Sequence, residues 1–255
     1  MMKINFVLAV LLAITSTGLS AAEYDAVLAW PERVELGVLV NGVVKEVPVT
    51  DGQRVKKDQL LLKLDESIFL ADVIHAEADL KKAQELLIEA KRELARVEEL
   101  YNRTVSSEHE LEQANLGHTR ALADEKKAEA VLVKKKAALK FSAIHAPFDG
   151  VVLARNASVG QTIISTLQSR PMITLASTGH MLARITVGAE KLSAIKEGRK
   201  AEVRIDGKTF NGSVFFVGLE PIKPAGSTTL YPVDVSFSDL GETLRAGQNA
   251  KVVID

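Results

Sequence analysis

The sequence predicts a mainly β protein interrupted by a long α-helical coiled-coil hairpin, with a small β-sandwich split by that hairpin and a small β-barrel after it. Three observations predict this. From Gln53 to Ala146 there is no proline and one glycine, Gly117, in a chain of 255 residues that holds seven prolines and sixteen glycines. Two glycine-punctuated segments with matching residues flank that stretch. From Met181 onward, short alternating runs separated by glycine turns dominate.

Residues 1–22 read as a cleavable secretory signal: Lys3, the apolar stretch Phe6 to Ile14, then small and polar residues ending in Ser20-Ala21-Ala22. The apolar run is too short to span a hydrocarbon core of about 30 Å, which disfavours the alternative of an uncleaved anchor. No later segment is apolar enough to cross a membrane. There are no cysteines, so the sequence predicts no disulfide, no thiolate metal site and no lipid-bearing cysteine near the cleavage point. These features place the mature chain in the periplasm and not among the lipoproteins. A net charge of -1 with 25% charged residues argues against nucleic acid as a partner, because phosphate binding draws on a clustered basic excess. Lys134-Lys135-Lys136 is balanced by neighbouring acids and reads as a solvated helix face.

After a short N-terminal segment, 23–33, the first half of the sandwich covers 34–66 and the second half 141–178. The two align without a gap. Gly150 stands 108 residues after Gly42, as Gly160 does after Gly52, and Asp149, Val151, Val152, Gln161 and Ile163 match Asn41, Val43, Val44, Gln53 and Val55. Asn-Gly and Asp-Gly tolerate the positive φ of tight hairpin turns. Each half is therefore read as a half-sheet, and the two as packed face to face.

Between them, 67–140 reads as two helices. Val73, Leu80, Leu87, Leu94 and Tyr101 recur every seven residues, with Ala76, Ala83, Ala90 and Val97 between them, the 3-4 alternation of a coiled-coil seam. The pattern halts at residues 101–104, and Ser107-x-x-Glu110 starts a second helix as a capping box. Each helix spans roughly 50 Å at 1.5 Å per residue. The second seam is Leu111, Ala114, Ala121, Ala128, Leu132 and Leu139, with His118, Glu125 and Lys135 in the same register. The expected contact is narrow and alanine-rich, leaving much of both surfaces to water or partners.

From 179 to 255 the reading is a β-barrel. Strands are expected near 182–187, 200–205, 209–219, 229–237 and 248–254, with a short helix within 190–196 and a loop at Pro221 to Gly226. Glu197 to Ile205 echoes Ala246 to Ile254, with Gly247 standing 49 residues after Gly198.

A glycine-punctuated half-motif, a long coiled-coil insertion, then Ala146-Pro147-Phe148-Asp149-Gly150-Val151-Val152 and Val159-Gly160-Gln161 resembles the HlyD-like periplasmic adaptor (membrane fusion) family of efflux pumps. The resemblance covers Val34 to the C-terminus. It implies a split lipoyl/biotinyl-like domain and a non-enzymatic subunit without cofactors. It also implies a homo-oligomer, trimer or hexamer, linking an inner-membrane transporter to a TolC-like outer-membrane channel. The transporter implied is of the RND type, with an ABC exporter as the alternative; no membrane-proximal domain is visible. Asp58 stands where the family usually has glycine. Members that dock on such a channel carry an arginine, a leucine four residues on and a serine seven further, which here are Arg96, Leu100 and Ser107 at the hairpin tip. Taken singly, these are a solvated charge, a cover for the seam edge and a helix cap. The alternative function, a biotinyl or lipoyl carrier domain of an acyl- or carboxyl-transfer enzyme, requires a modifiable lysine where this chain has its helices instead.

Other chemistry is not signalled. His75, His109, His118, His145 and His180 lack metal-ligand spacing, and only Met172 and Met181 remain in the mature chain. There is neither a phosphate loop nor a nucleophile elbow.

Overall fold

The computed structural model describes residues 22–164, 171–222, 229–239 and 241–255. All of the signal segment but Ala22, and most of the loop expected at Pro221 to Gly226, lie outside the described residues. The chain divides into two compact units, Met1–Pro31 with Gly179–Asp255, and Glu32–Thr178. The first strand, β1 (Ala22–Ala29), belongs to the former.

The second unit holds β2 (Arg33–Leu36), β3 (Gly42–Glu46), β4 (Arg54–Val55) and β5 (Leu60–Leu64), then helices α1 (Ser67–Asn102) and α2 (Glu108–Lys140). After them come β6 (Ala143–His145), β7 (Gly150–Arg155), β8 (Thr162–Ile163) and β9 (Ile173–Ser177). The strands form two four-stranded sheets, ordered β2-β9-β7-β4 and β6-β5-β3-β8. This corrects the expectation of one half-sheet per half-motif, since each sheet takes strands from both sides of the helices. Leu61, Leu62, Leu64, Val152, Ile173 and Leu175, all at 0% exposure, fill the space between.

The matching halves exchange equivalent bonds. Gly52 N donates to Val152 O at 2.8 Å, and Gly160 N donates to Val44 O at 2.9 Å. Gln53 and Gln161 cap their own turns in the same way, accepting from Thr50 N and Ser158 N. Positive φ falls on Gly52 (79°) and Gly160 (84°), where glycine carries no steric penalty. Gly42 and Gly150, expected to serve as turn glycines, instead open strands. Close approach is why a side chain is excluded: a Cβ at Gly150 would lie 2.4 Å from Ala176 O, and one at Gly42 would lie 3.0 Å from Leu64 Cδ1. Asp58 keeps the conformation a glycine would favour, with φ 65°, and its N–H bonds Ala146 O at 2.8 Å. Asp149 Oδ1 accepts from Lys57 N at 2.7 Å, tying the halves across that turn and holding the carboxyl below its ordinary range.

Asp65 Oδ1 accepts from Ser67 N at 3.0 Å at the start of α1. The two helices run antiparallel, held by Lys135 Nζ to Asp72 Oδ2 at 2.6 Å and Lys136 Nζ to Glu77 Oε1 at 2.9 Å. The least exposed residues fall on the heptad positions. In α1 these are Val73, Ala76 and Val97, all buried, with Leu80, Ala83, Leu87, Ala90 and Leu94 half-buried between them. Tyr101, at 41% exposure, stands outside the seam. In α2 the buried residue is Glu125, an acid in an alanine-lined contact. Its Oε2 makes no hydrogen bond, although Lys126 Nζ lies 3.3 Å away.

The barrel unit adds β10 (His180–Gly188), the short α3 (Ala189–Leu192), β11 (Lys200–Ile205), β12 (Lys208–Val217), β13 (Leu230–Ser238) and β14 (Asn249–Ile254). It closes in the order β1-β10-β13-β12-β11-β14. Residues 23–33, given no element from sequence, supply β1, which pairs antiparallel with β10 and β14. Inside, Phe210 and Phe237 pack with ring centroids 5.5 Å apart among buried Val, Ile and Met side chains. The repeat at an offset of 49 is two equivalent turns, Gly198 (φ 81°) and Gly247 (φ 87°), whose N–H groups bond Val214 O and Leu28 O at 2.8 Å.

Candidate functional site at the helix turn

The turn from α1 to α2 is short and held by backbone bonds to the end of α1. Val105 N donates to Leu100 O at 2.9 Å and Thr104 N to Tyr101 O at 2.9 Å, the pattern that satisfies the last carbonyls of a helix around a left-handed residue. That residue is Thr104, φ 62°, a β-branched side chain where glycine is normal. The strain is held because α2 begins at once: Ser107 Oγ accepts from Glu110 N, and Glu110 Oε2 accepts from Ser107 N at 2.8 Å. Glu110 also accepts from the Ser106 hydroxyl at 2.7 Å. These donors, the Ser107 amide first, lower the Glu110 carboxyl from its ordinary value.

On one side of the turn the helices leave a groove of about 820 Å³. Leu86, Leu100 and Val105 supply apolar walls, Ala90, Ala114 and Gly117 are small, and Arg96, Glu93 and Glu110 stand among the polar lining. Arg96 forks onto Glu93, with NH2 to Oε1 at 2.6 Å and Nε to Oε2 at 2.9 Å. The pair raises the guanidinium and lowers the Glu93 carboxyl. A Cβ at Gly117 would meet nothing within 4 Å.

The structure brings Arg96 and Leu100 into this groove and leaves Ser107 out of its lining, with the hydroxyl engaged in the cap. Sequence reasoning passed over Val105, which is 71% exposed, and the strained Thr104. A lone apolar residue in a polar turn was the available signal for the first; nothing in the sequence marks the second. Among the described residues, no group of three or more His, Asp or Glu converges as a metal ion would require, and no helix is long and apolar enough to cross a membrane.

Residues 33–170 match the model of the CzcB-like, barrel-sandwich hybrid domain, more than half of the chain. The chain belongs to the CzcB-like barrel-sandwich hybrid family. Among relatives of this family member, the "Macrolide export protein MacA" of Yersinia pestis is 31% identical over 211 residues, 76% of this chain and 56% of the relative. The MacA of Escherichia coli O157:H7 is 32% identical over 187 residues, 66% of this chain and 49% of the relative. The chain thus spans about half the length of these relatives. Likeness in fold extends to the crystal structure of MacA from Actinobacillus actinomycetemcomitans, with TM-score 0.73 and 20% identity, covering 91% of this chain and 78% of that one. It extends equally to the membrane fusion protein Spr0693 of Streptococcus pneumoniae R6, TM-score 0.72 and 16% identity, covering 92% and 99%. The resemblance to the adaptor family read from the sequence is borne out.

Proposed function

We propose that this family member is a non-enzymatic periplasmic adaptor. In this reading its copies assemble into a homo-oligomer between an inner-membrane transporter and a TolC-like outer-membrane channel. The observation that carries the reading is the helix pair: two helices of 36 and 33 residues, inserted into a two-sheet sandwich and ending in a hydrogen-bonded turn beside an exposed groove. Burial on the heptad positions supports treating the pair as a coiled-coil hairpin. Such a rod reaches; it offers no enclosed pocket for catalysis. The turn, Arg103 to Ser107, has no lysine, which disfavours a biotinyl or lipoyl carrier. Relatives named for macrolide export and multidrug resistance support small molecules as cargo; the transporter partner in this reading is of the RND type, with an ABC exporter as the alternative.

In this reading Arg96, Leu100 and Ser107 contact the channel, Arg96 and Leu100 through the groove and Ser107 from the exposed start of α2. The test is export in cells that depend on this chain. Arg96→Glu with Leu100→Glu abolishes export while the helical signal at 222 nm stays; unchanged export removes the tip site. Ser107→Asn, which keeps a cap, separates contact from folding: lost export with an unchanged melt assigns Ser107 to the channel surface.

A further inference from the structure

The two ends of the barrel differ in character. Strand directions put Ala22, α3, Lys200, the end of β12, Leu230 and Ile254 at one end. At the other, β1 finishes and β10 begins, where the chain leaves and re-enters this unit. That second end is closed by polar groups: Lys208 Nζ lies 2.7 Å from Glu242 Oε1, and Gln248 Nε2 donates to Asp206 Oδ2 at 2.7 Å. The first end carries apolar side chains instead. A bulge between Val214 and Phe216 breaks the alternation of β12, so Phe215 and Phe216 are both exposed. Beyond them the pairing with β13 continues as an arm: Gly218 N donates to Pro232 O at 2.7 Å and Ile222 N to Leu230 O at 2.8 Å. A Cβ at Gly218 would lie 2.5 Å from Pro232 Cδ, so glycine is what lets the two sides close. On this arm Leu219 is 89% exposed, and Ile222 is exposed as well.

We propose that this end of the barrel, with Phe215, Phe216, Leu219 and Ile222 as its foot, inserts into the surface of a lipid bilayer. The proposal goes beyond the adaptor reading and does not depend on it. Two observations choose lipid over protein. The most apolar run of the sequence, Phe6 to Ile14, joins the barrel at Ala22, on this same end. A signal of that kind meets the bilayer during export, so the membrane-directed segment and the apolar foot share one side of the barrel. The foot is also a protrusion whose amides at Gly218 and Ile222 are already bonded, so neither is free to pair with an added peptide strand. Exposed aromatic and branched side chains gathered at one place suit the boundary between headgroups and acyl chains. Around the foot Lys191, Lys196 and Lys200 are exposed among Glu190, Glu197 and Glu220. So mixed a rim makes apolar burial, and not net charge, the source of affinity.

The native chain has no cysteine, so one introduced cysteine carries an environment-sensitive nitrobenzoxadiazole dye at a chosen place. Leu219→Cys puts the dye on the foot, and Thr209→Cys puts it on the exposed start of β12, toward the polar end. Both are made in the full chain as exported. With phosphatidylcholine vesicles the dye at Leu219→Cys shifts to the blue, brightens and is quenched by lipids brominated along the acyl chain, whereas the dye at Thr209→Cys does not respond. The response survives high salt, which screens exposed charges. Phe215→Ser/Ile222→Ser weakens vesicle binding roughly tenfold or more and leaves the thermal melt in place. No response at Leu219→Cys, an equal response at both positions, loss of the response in high salt, or unchanged binding by the serine variant overturns the proposal. If Leu219→Cys ignores vesicles but cross-links to a membrane protein in cells, the foot is a protein contact and the proposal falls. Self-association that the serine variant abolishes, without a vesicle response, overturns it in favour of a second copy. The vesicles hold no other protein, so none of these vesicle outcomes bears on the adaptor reading.

Discussion

The sandwich and the helix pair belong to one unit and are built on opposite terms. Leu61, Leu62, Leu64, Val152, Ile173 and Leu175 of the sandwich are wholly removed from water, and each half of the fold completes the other through Gly52 and Gly160. The helices fully bury only Val73, Ala76, Val97 and an acid, Glu125, with the remaining heptad positions half-buried and the other faces turned to solvent. Stability is concentrated where the chain returns to itself, and surface is left available where it reaches away. The helices are held at their ends: by Asp65, Lys135 and Lys136 near the sandwich, and by the Ser107–Glu110 cap at the turn.

That contrast can be broken from the sandwich side first. Leu62→Ala leaves a cavity in a site with no exposure and costs about 2–5 kcal/mol. Urea titration followed at 222 nm, where the long helices dominate, shows the loss. The fluorescence of Trp30, the single tryptophan, which packs against the barrel core, stays in place. Next comes the helix seam: Glu125→Leu removes a buried carboxylate oxygen without a hydrogen bond and raises the same transition by about 1–3 kcal/mol. A fall in the midpoint would show that Glu125 is better accommodated than its burial implies. Ser107→Ala costs about 1 kcal/mol by removing the cap, and Ser107→Asn is close to neutral. Asp58→Gly gains roughly 0.5–1 kcal/mol, because the left-handed backbone there suits glycine.

The smallest expected effect is on acid sensitivity. Asp149 is held below its ordinary value by the Lys57 amide first. Its folded-state pKa is depressed, so its contribution is complete above the unfolded value of about 3.9 and is lost as pH falls through the lower folded value. Asp149→Asn therefore flattens the stability-against-pH curve below about pH 4 and leaves its slope near neutrality unchanged.

Much of the architecture was legible because it rests on periodicity. The heptads located the helix seam from Val73 to Val97, including the misfits His118, Glu125 and Lys135 on the second helix but not Tyr101, which lies outside it, and the offsets of 108 and 49 located two pairs of equivalent turns. Strand exchange between the halves was not legible: alternation tells which face a residue occupies but not which strand lies beside it. The glycines show the same limit. Gly42 and Gly52 look alike in sequence, yet one is needed because Leu64 crowds it and the other because its φ is positive. β1 was missed because Tyr24 to Trp30 offers one short alternating run with no turn signal before it. At the candidate site, spacing located Arg96 and Leu100. The left-handed backbone of Thr104 at the turn is announced by no residue type.

The mutual bonding of the two half-motifs also sets an order of events for a chain synthesised from the N-terminus. Val44 cannot receive its partner Gly160 until more than a hundred further residues have arrived, and closing a loop of that length slows folding. Helices of 33 and 36 residues exceed the length at which isolated helices become marginal, and they fold on local contacts within microseconds. Once they zip together, residues 65 and 142 are neighbours and the long closure has become a short one. The insertion that separates the halves in sequence is thus the device that delivers them to each other.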